Sequence, residues 1–406
     1  MNNAKSQLPK QILTDLFNVA LGSVHGRTAV EQQLKNMSFE GEVAIVAIGK
    51  AAAAMMSGAK NVLNDQIQSA LIITKAGHTD SSLNWPCIEA GHPVPNAKSL
   101  EAGASLLTFL KSIPKQTQLI TLISGGASAL VEVLPDNIDL DALQEINNWL
   151  LASGLTIHEI NKIRQSISLI KGGKALAYLE QNEITQLLIS DVKMDMPEII
   201  GSGLFVHQDN NVLRPGFEGI PEWIQKHLQT EKPIRQVAVE SHIIASNEIA
   251  CQATINYADK TDYEITYHGQ SLYGDVFELA EEIANKLLSA KPGLHLWGGE
   301  TTLSLPSEPG RGGRNQSLAL ALACLLENNN NITILVGATD GSDGPTDDAG
   351  AIIDGFTLQR AKHLNAKGYL AAADAGSFLA EAGDLISTGP TGTNVMDIVI
   401  ALKEPV

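Results

Sequence analysis

Two arginines stand among three glycines in the segment 310–315, which reads Gly-Arg-Gly-Gly-Arg-Asn and directly precedes the apolar run 318–326. Planar guanidinium groups match phosphate and carboxylate oxygens in bidentate fashion. A surface turn seldom needs this density of glycine and arginine, so we predict that Arg311, Arg314 and Asn315 contact a phosphate or a carboxylate. The alternative is a solvated surface turn without a ligand.

Four aspartates lie within the nine residues 340–348, directly after the apolar run 332–338. Clustered hard oxygens suit Mg²⁺, or an aspartate that acts as a base. The spacing does not fit an EF-hand, which needs a different ligand pattern. We predict that Asp340 and Asp343 hold a metal ion. The alternative is an acidic turn in which the aspartates cap backbone groups.

A lysine follows the first apolar segment of the chain, 43–48, after one glycine. If a helix begins at this point, the positive charge of Lys50 is unfavourable against the helix dipole unless it serves a ligand. We therefore predict that Lys50 contacts a phosphate group. The alternative is an ordinary residue in the first turn of a helix.

A second glycine-rich turn, Gly125-Gly126-Ala127-Ser128, follows the apolar segment 118–123. Glycines expose backbone N–H groups, and a helix that begins here favours an anion. We predict that Gly125, Gly126 and Ser128 bind phosphate or substrate. A tight strand-to-helix turn without a ligand explains the same pattern equally well.

Polar residues also follow other predicted strands and occupy a loop near the C-terminus. For each of them, capping of a neighbouring helix competes with ligand contact. The residues that we assign to the site on this ground are Asp191, Asn247, Thr388 and Thr391.

The composition limits the function classes. The chain has 406 residues, a mass of 43.2 kDa and a formal charge of −17, so we expect no coating of nucleic acid. Its three cysteines are isolated, which indicates a reducing compartment. The N-terminal segment lacks the long apolar run of a signal peptide or membrane span. We expect a cytoplasmic protein that does not bind membranes.

Apolar runs that end in glycine or a polar residue alternate with helical patterns, which predicts an α/β fold with a buried parallel sheet. The segment 201–232 is rich in glycine and proline, so we place a boundary there. We predict a Rossmann-like three-layer domain over 1–232 and a smaller α/β domain over 233–406. The predicted strands of the first half are 43–49, 70–77, 118–126 and 184–191, and the predicted helices include 12–21, 139–152, 156–180 and 274–290.

Taken together, these turns resemble one family. Blocks similar to those of the MOFRL-type glycerate 2-kinases occur in the expected order over nearly the whole chain: GKAA (49–52), KAGH (75–78), EAGHPVPNAKSLEAG (89–103), LISGGASAL (122–130), HEINKIRQSISLIKGGKALA (158–177), LISDV (188–192), GGETT (298–302), GRGGRNQSLALALA (310–323), ATDGSDGPTDDAG (338–350) and TGPTGTNVMD (388–397). The same family also carries the older name hydroxypyruvate reductase.

The resemblance implies two α/β domains with an active site between them, and a MOFRL region over about 293–402. It implies phosphorylation of the 2-hydroxyl of D-glycerate with ATP and Mg²⁺. Carried over by motif position, Lys50, Arg311 and Arg314 are catalytic, with Asp191 as a further catalytic candidate, and Glu300 joins the substrate-binding set. We expect a small-molecule substrate and a monomer or homodimer.

One block departs from the family pattern. After the strand that ends near Ser190, the family reads roughly G-D-D-x-x-x-I-A-S-G-P-T, whereas this chain has Met194, Met196 and Leu204 at the first glycine, the second aspartate and the proline. The loop backbone and a possible metal or hydroxyl contact are therefore expected to differ. The glycine turn also reads SGGAS instead of SGGGS.

Two other functions stay open at this level. A nicotinamide-dependent hydroxypyruvate reductase requires a dinucleotide fingerprint, and the chain has no complete one: GRGGRN lacks the final glycine. A non-catalytic relative that only binds a small metabolite is suggested by the altered segment 193–204. It would gain thermal stability from its ligand without turnover.

Overall fold

The computed structural model describes residues 2–179, 182–206, 219–228 and 237–405. The chain divides into two compact units, one formed by residues 26–244 and the other by residues 1–25 together with 245–406. The predicted α/β fold class is confirmed. The predicted boundary at 232/233 lies outside the described residues.

In the part of the chain that the structure describes, twelve strands form two six-stranded sheets. In chain order they are β1 (Val43–Ile48), β2 (Ile67–Lys75), β3 (Cys87–Ala90), β4 (Gln118–Ile123), β5 (Ile184–Ile189), β6 (Val239–Ala245), β7 (Ile265–Gln270), β8 (Gly293–Gly299), β9 (Ile332–Ala338), β10 (Gly350–Asp354), β11 (Leu385–Ile386) and β12 (Asp397–Lys403).

Fourteen α-helices accompany the strands among the described residues. They are α1 (Asn2–Ser23), α2 (Gly26–Lys35), α3 (Ala52–Leu63), α4 (Ala97–Ser112), α5 (Ala127–Leu130), α6 (Leu140–Ala152), α7 (Ile157–Ser166), α8 (Glu222–Gln225), α9 (Asn247–Ala258), α10 (Val276–Ser289), α11 (Arg314–Leu325), α12 (Thr357–Arg360), α13 (Ala366–Ala371) and α14 (Ala375–Ala382). None of these helices combines the length and the apolar character needed to cross a membrane.

The first sheet has the order β3-β2-β1-β4-β5-β6, and its β3-β2, β2-β1, β1-β4 and β4-β5 pairs are parallel. Every residue of the central strand β1 is buried. Helices cover both faces of a sheet of this kind, which is why its strands are continuous apolar runs. Because parallel strands end at one edge, the residues that follow β1, β4 and β5 lie on the same side of the unit.

The second sheet has the order β11-β10-β9-β12-β8-β7 and is mixed. Its β7-β8 pair is parallel, whereas β12 runs antiparallel to both β8 and β9. The strands β9 and β12 are buried almost throughout, and α11 packs on them as part of the main core of this unit.

One predicted helix is too long. The pattern over 156–180 predicted a single helix, but α7 ends at Ser166 and the chain continues through turns into a short 3₁₀ helix at Lys174–Tyr178. Gly172 and Gly173 adopt φ values of +65° and +79° there, a left-handed conformation that no α-helix contains. Ile167, Ile170, Ala175 and Leu176 are buried in the core instead of forming a helical stripe.

A buried ion-pair network holds α1 in its unit. The carboxylate of Asp384, which is buried, accepts hydrogen bonds from Lys10 Nζ at 2.8 Å and from Arg360 Nη2 at 2.6 Å. Asp354 pairs with the same two cations, at 3.4 Å to Lys10 and 2.9 Å to Arg360. These contacts explain why the first 25 residues group with the second half of the chain.

Replacement of Asp384 by alanine is expected to destabilise this unit by about 3 kcal/mol, because two partly buried cations then share one carboxylate. The midpoint of urea unfolding reports the change. Glu31→Ala is the control, since Glu31 forms longer, more exposed pairs with Arg27 and Lys35 and should cost less than about 1 kcal/mol. Equal midpoints for the two variants would contradict the anchoring role.

Candidate functional site

In the unit formed by residues 26–244, two turns that sequence analysis assigned to the site are joined by hydrogen bonds. The backbone N–H of Lys50 donates to the carbonyl of Gly125 at 2.9 Å. The backbone N–H of Ala51 donates to Ser124 Oγ at 3.0 Å. Glycine is required at position 49 for the turns after β1 and β4 to lie this close together, because a Cβ atom there would lie 2.1 Å from Ser124 Oγ. Lys50 and the glycine turn are therefore neighbours, as the strand order dictates.

The side chain of Lys50 lies next to Gly126. A Cβ atom on Gly126 would lie 3.3 Å from Lys50 Cγ and 3.0 Å from His92 Cδ2, and Gly126 has a φ of +86°. Gly126 is also the residue before α5, so its conformation turns the chain from β4 into that helix. The lysine and the histidine thus approach the same glycine from the turns after β1 and β3.

A cavity of about 200 Å³ opens beside this turn. It brings together three of the predicted residues, Gly126, Ser128 and Asp191. The other lining residues are His92, Pro93, Ala129, Asn147, Asn161, Arg164, Val192, Ile199 and Gly201.

Four polar residues of the cavity wall were missed from the sequence. His92, Asn161 and Arg164 lie within the blocks 89–103 and 158–177 that carry the family resemblance, and Asn147 lies on the predicted helix 139–152. The blocks marked these segments as important, but neither residue type nor spacing indicated which side chains would face a cavity.

A chain of side-chain hydrogen bonds runs along the cavity wall. Ser128 Oγ contacts Ser202 Oγ, which donates to Asn161 Oδ1 at 2.7 Å. Ser202 is fully buried and has a φ of +56°. The backbone of the turn 200–203 thus directs this hydroxyl towards α5 and α7. Ser128 is thereby positioned by the same loop that departs from the family pattern.

A capping box fixes the start of α7, which carries Asn161 and Arg164. Thr156 Oγ1 accepts from the backbone N–H of Glu159 at 3.4 Å, and Glu159 Oε2 accepts from the backbone N–H of Thr156 at 2.8 Å. This reciprocal arrangement satisfies two of the N–H groups that a helix start leaves unpaired. The helix therefore presents its last turns to the cavity in a defined orientation.

The departure at Met194 does not remove the backbone conformation that a glycine would supply. Met194 has φ +67° and ψ 11°, and its side chain is 81% exposed. Asp195 also has a positive φ, of +52°. The loop 193–195 thus keeps a left-handed geometry although neither residue is glycine.

Met194→Gly is expected to stabilise the protein. A left-handed non-glycine residue costs roughly 1–2 kcal/mol, and the added freedom of glycine in the unfolded chain offsets about 0.4–1 kcal/mol of that. Met194→Val should be less stable than the wild type, because a β-branched residue is worse at positive φ. Thermal melting of the three proteins checks the order Gly, Met, Val; a glycine variant that melts below the wild type would contradict it.

In the other unit, Arg314 is held by acidic partners. Its Nε donates to Asp397 Oδ2 at 2.9 Å, and its Nη2 lies 2.5 Å from Glu300 Oε1. Burial by itself would lower the pKa of Arg314, but Asp397 and Glu300 raise it overall, so the guanidinium stays charged. Asp397, which is 1% exposed, also accepts from Asn315 Nδ2 at 3.0 Å. The structure therefore brings Arg314, Asn315 and Glu300 together; Asp397 was not predicted.

Arg311 forms a second, separate network. Its Nη2 donates to Asp348 Oδ2 at 2.7 Å, and its backbone N–H donates to Asp374 Oδ1 at 2.9 Å. Ser387 Oγ donates to the other oxygen of Asp348 at 2.5 Å. About half of the Arg311 side chain is exposed, so the guanidinium lies at the surface of the unit, where its ion pair with Asp348 holds it in place.

Asp343 caps the helix that begins at Arg314. Its two carboxylate oxygens accept backbone N–H groups from Asn315 at 3.1 Å and from Gln316 at 2.7 Å. Burial raises the pKa of Asp343 to about 7, although these two hydrogen bonds act in the opposite direction. Gly313 makes the approach possible, because a Cβ there would lie 2.3 Å from Asp343 Oδ1. The structure thus engages the predicted metal ligand as a helix cap.

Asn247 and Thr391 of the predicted set make contacts within the protein. Asn247 is 1% exposed, and its Nδ2 donates to the carbonyls of Val395 at 2.7 Å and Asp397 at 2.9 Å. Thr391 Oγ1 donates to the carbonyl of Thr339 at 2.5 Å. Asn247 therefore has a structural contact where ligand binding was predicted, and Thr391 ties its loop to the end of β9.

Thr388 and Thr391 line a second cavity, of about 410 Å³, at one side of α1. Phe17, Leu21 and Leu335 contribute apolar wall, and Thr14, Asn18, His25 and Ser387 contribute polar atoms. The loop that carries the threonines packs closely on the acidic loop, since a Cβ on Gly341 would lie 2.1 Å from the carbonyl oxygen of Gly389.

The acidic loop does not form a metal cage by itself. Asp340 Oδ1 accepts from the backbone N–H of Ser342 at 3.1 Å, and Asp343 caps α11. Within the part of the chain that the structure describes, no group of three or more histidine, cysteine, aspartate or glutamate side chains is arranged to hold a metal ion.

Two family models and several known proteins match this chain over most of its length. Residues 12–215 match a domain of unknown function (DUF4147), and residues 293–397 match the MOFRL family. A D-glycerate 2-kinase from Thermotoga maritima is 31% identical over 97% of this chain and 98% of its own length. A glycerate 2-kinase from Pyrococcus horikoshii is 34% identical over 91% of this chain and 89% of its own.

Solved structures match the whole fold as well. The crystal structure of a glycerate kinase from Thermotoga maritima aligns with a TM-score of 0.85 at 30% identity and covers 97% of this chain and 99% of its own. A second structure, of a Pyrococcus horikoshii protein, aligns with a TM-score of 0.74 at 30% identity, covering 98% of this chain and 99% of its own.

Proposed function

The chain belongs to the MOFRL family of glycerate 2-kinases, and we infer that it transfers the γ-phosphoryl group of ATP to the 2-hydroxyl of D-glycerate. The observation that carries this function is the similarity to a D-glycerate 2-kinase over 97% of the chain. It is an enzyme, a phosphotransferase with an alcohol as acceptor.

Phosphoryl transfer needs little covalent chemistry from the protein; it needs positioning and positive charge on the transferring group. We propose that Lys50 supplies such a charge, because its side chain passes Gly126 beside the cavity. The backbone around Gly125 and Gly126 then contacts phosphate oxygens. Asp191, in the wall of the same cavity, orients or deprotonates the acceptor hydroxyl.

Arg311 and Arg314 are proposed to bind oxyanions from their own unit. The ion pairs of Arg314 use Nε and Nη2, so Nη1 has no partner among the described residues and remains for an anion. A guanidinium fixed in this way loses little side-chain freedom when an oxyanion binds. The acidic partners hold the guanidinium in place.

Mg²⁺ is proposed to arrive with ATP as part of the substrate. Magnesium is commonly bound by one or two carboxylates together with substrate phosphates and water. The described residues fit that pattern better than a resident site, because Asp343 already caps a helix and no group of three ligands is present among them. Asp340 is the residue of this loop that we propose to contact the metal of bound MgATP.

The experiment is ADP release from MgATP, measured with and without D-glycerate and in parallel with NADH consumption on hydroxypyruvate. The proposed function predicts ADP release that depends on D-glycerate and no NADH consumption. NADH consumption without a kinase signal would replace the kinase by the reductase. Thermal stabilisation by D-glycerate with neither reaction would indicate a binding protein without turnover.

A further inference from the structure

We propose that Arg164, together with Asn161, binds the carboxylate of the acceptor in the cavity beside the glycine turn, and that this contact makes the protein select hydroxy acids over their neutral amides. The identity of the acid as D-glycerate rests on the proposed function, whereas the presence of a carboxylate site does not. It adds a specificity residue to the set Lys50, Gly126 and Asp191 that lines or adjoins the same cavity.

Arg164 carries a charge that no acidic side chain of the described ranges neutralises in an ion pair. It lies in the wall of the cavity, near the end of α7, and is partly buried. Removal of a cation from water without a paired anion is costly, and an anion bound in the cavity would supply the counter-charge.

The nearest carboxylate that influences Arg164 is already committed. Glu132, which is 1% exposed, pairs with the buried Lys171 and accepts from Ser168 Oγ at 2.5 Å. Burial lowers the pKa of Arg164, and Glu132 opposes this effect only in part. Glu132 is therefore committed to Lys171 and does not form an ion pair with Arg164.

A second donor lines the same cavity. Asn161 is 5% exposed and lies in the cavity wall, and its Oδ1 accepts from Ser202 Oγ. This hydrogen bond directs the amide nitrogen away from Ser202, so the nitrogen can donate to an oxygen of a carboxylate bound in the cavity. Two donors, one of them charged, thus line one cavity.

Size and charge favour a small acid over the phosphates of ATP. The cavity volume is about 200 Å³, and a cavity of about 150 Å³ already holds benzene, which has a similar number of non-hydrogen atoms to glycerate. Asp191 lines the same cavity. A phosphate group with more than one negative charge would be repelled by this carboxylate more strongly than a carboxylate with a single charge.

The test compares the wild type with Arg164→Met and Arg164→Lys in steady-state kinetics with MgATP, on D-glycerate and on its neutral amide, D-glyceramide. We expect Arg164→Met to raise KM for D-glycerate by about 10- to 100-fold, the loss of a charge-assisted hydrogen bond, and to leave KM for ATP within about threefold. The preference for acid over amide should fall by the same factor, with Arg164→Lys intermediate. Arg27→Met, on the outside of the unit, is the matched control.

Calorimetric titration of the intact protein with a small carboxylate measures binding without requiring turnover. Binding of D-glycerate, or of another small carboxylate such as lactate, to the wild type and the control but not to Arg164→Met supports the site even if no kinase activity is found. A raised KM for ATP with an unchanged KM for D-glycerate would assign Arg164 to phosphate and overturn the inference. Equal carboxylate binding by all folded variants, or none by the wild type, would overturn it as well.

Discussion

Lys50→Met is expected to lower kcat for phosphorylation of D-glycerate by a factor of about 10²–10⁵, the usual range for loss of a cation that stabilises a transferring phosphoryl group. Methionine retains the length and apolar contacts of the lysine stem beside Gly126, so the turns after β1 and β4 stay in place. The backbone hydrogen bond from residue 50 to Gly125 is also kept. Single-turnover kinetics, which isolate the chemical step, measure the effect.

The control for this variant is Lys35→Met, which removes an exposed lysine that pairs with Glu31 on α2. Its kcat should stay within about twofold of the wild type, because exposed ion pairs contribute little. If Lys50→Met retains more than a tenth of the wild-type kcat while binding ATP normally, Lys50 is not the cation at the transferring group.

Arg314→Met is expected to reduce both stability and activity. Asp397 is buried and would lose its charged partner, which costs about 3–5 kcal/mol. Activity should fall by about 10²-fold or more through loss of a cation for the oxyanion. Urea unfolding and kcat measured on the folded fraction separate the two quantities.

The double variant Arg314→Met with Asp397→Asn separates the structural role from the catalytic one. Removal of the carboxylate charge eliminates the unpaired buried anion, so most of the lost stability should return. The activity should not return, because the guanidinium is still absent. Recovery of both stability and activity in the double variant would show that Arg314 acts only by pairing with Asp397.

The order of strands and turns in the first half could be predicted because each strand is a continuous apolar run with a glycine or polar residue at its end. β1, β4 and β5 lie within the predicted segments, whereas β2 begins at Ile67, three residues before the predicted segment 70–77. The meeting of Lys50 with the glycine turn then follows from parallel strand order. By contrast, the short strand β3 carries half-exposed residues and no apolar run, so it was not recognised.

The partners of the two arginines could not be predicted from spacing. Arg314 pairs with Asp397, 83 residues away, and Arg311 with Asp348, 37 residues away. Residue type and local density indicated the arginines as ligand-binding residues and the aspartates of 340–348 as possible metal ligands. Only the tertiary arrangement of β12 and the acidic loop shows that Asp397 and Asp348 hold the arginines, and that Asp343 caps α11.

The altered loop after β5 shows that a lost glycine does not by itself predict a changed backbone. The sequence predicts a changed backbone where Met194 replaces a glycine of the family pattern, yet Met194 adopts the left-handed conformation itself. Its side chain points to solvent, so the change costs conformational energy without filling the cavity. Asp191, Val192 and Ile199 still line that cavity, and Ser202 still reaches Ser128.

The most direct measurement for the central claim is a coupled assay in which the product of MgATP and D-glycerate is passed to enolase. Enolase accepts 2-phosphoglycerate but not the 3-phosphate, so one signal reports both turnover and the position of transfer. We predict a signal that requires ATP and D-glycerate and is lost in Lys50→Met. Release of ADP that depends on D-glycerate, without an enolase signal, would place the phosphate on the other hydroxyl, and absence of both signals would contradict the kinase function of this chain.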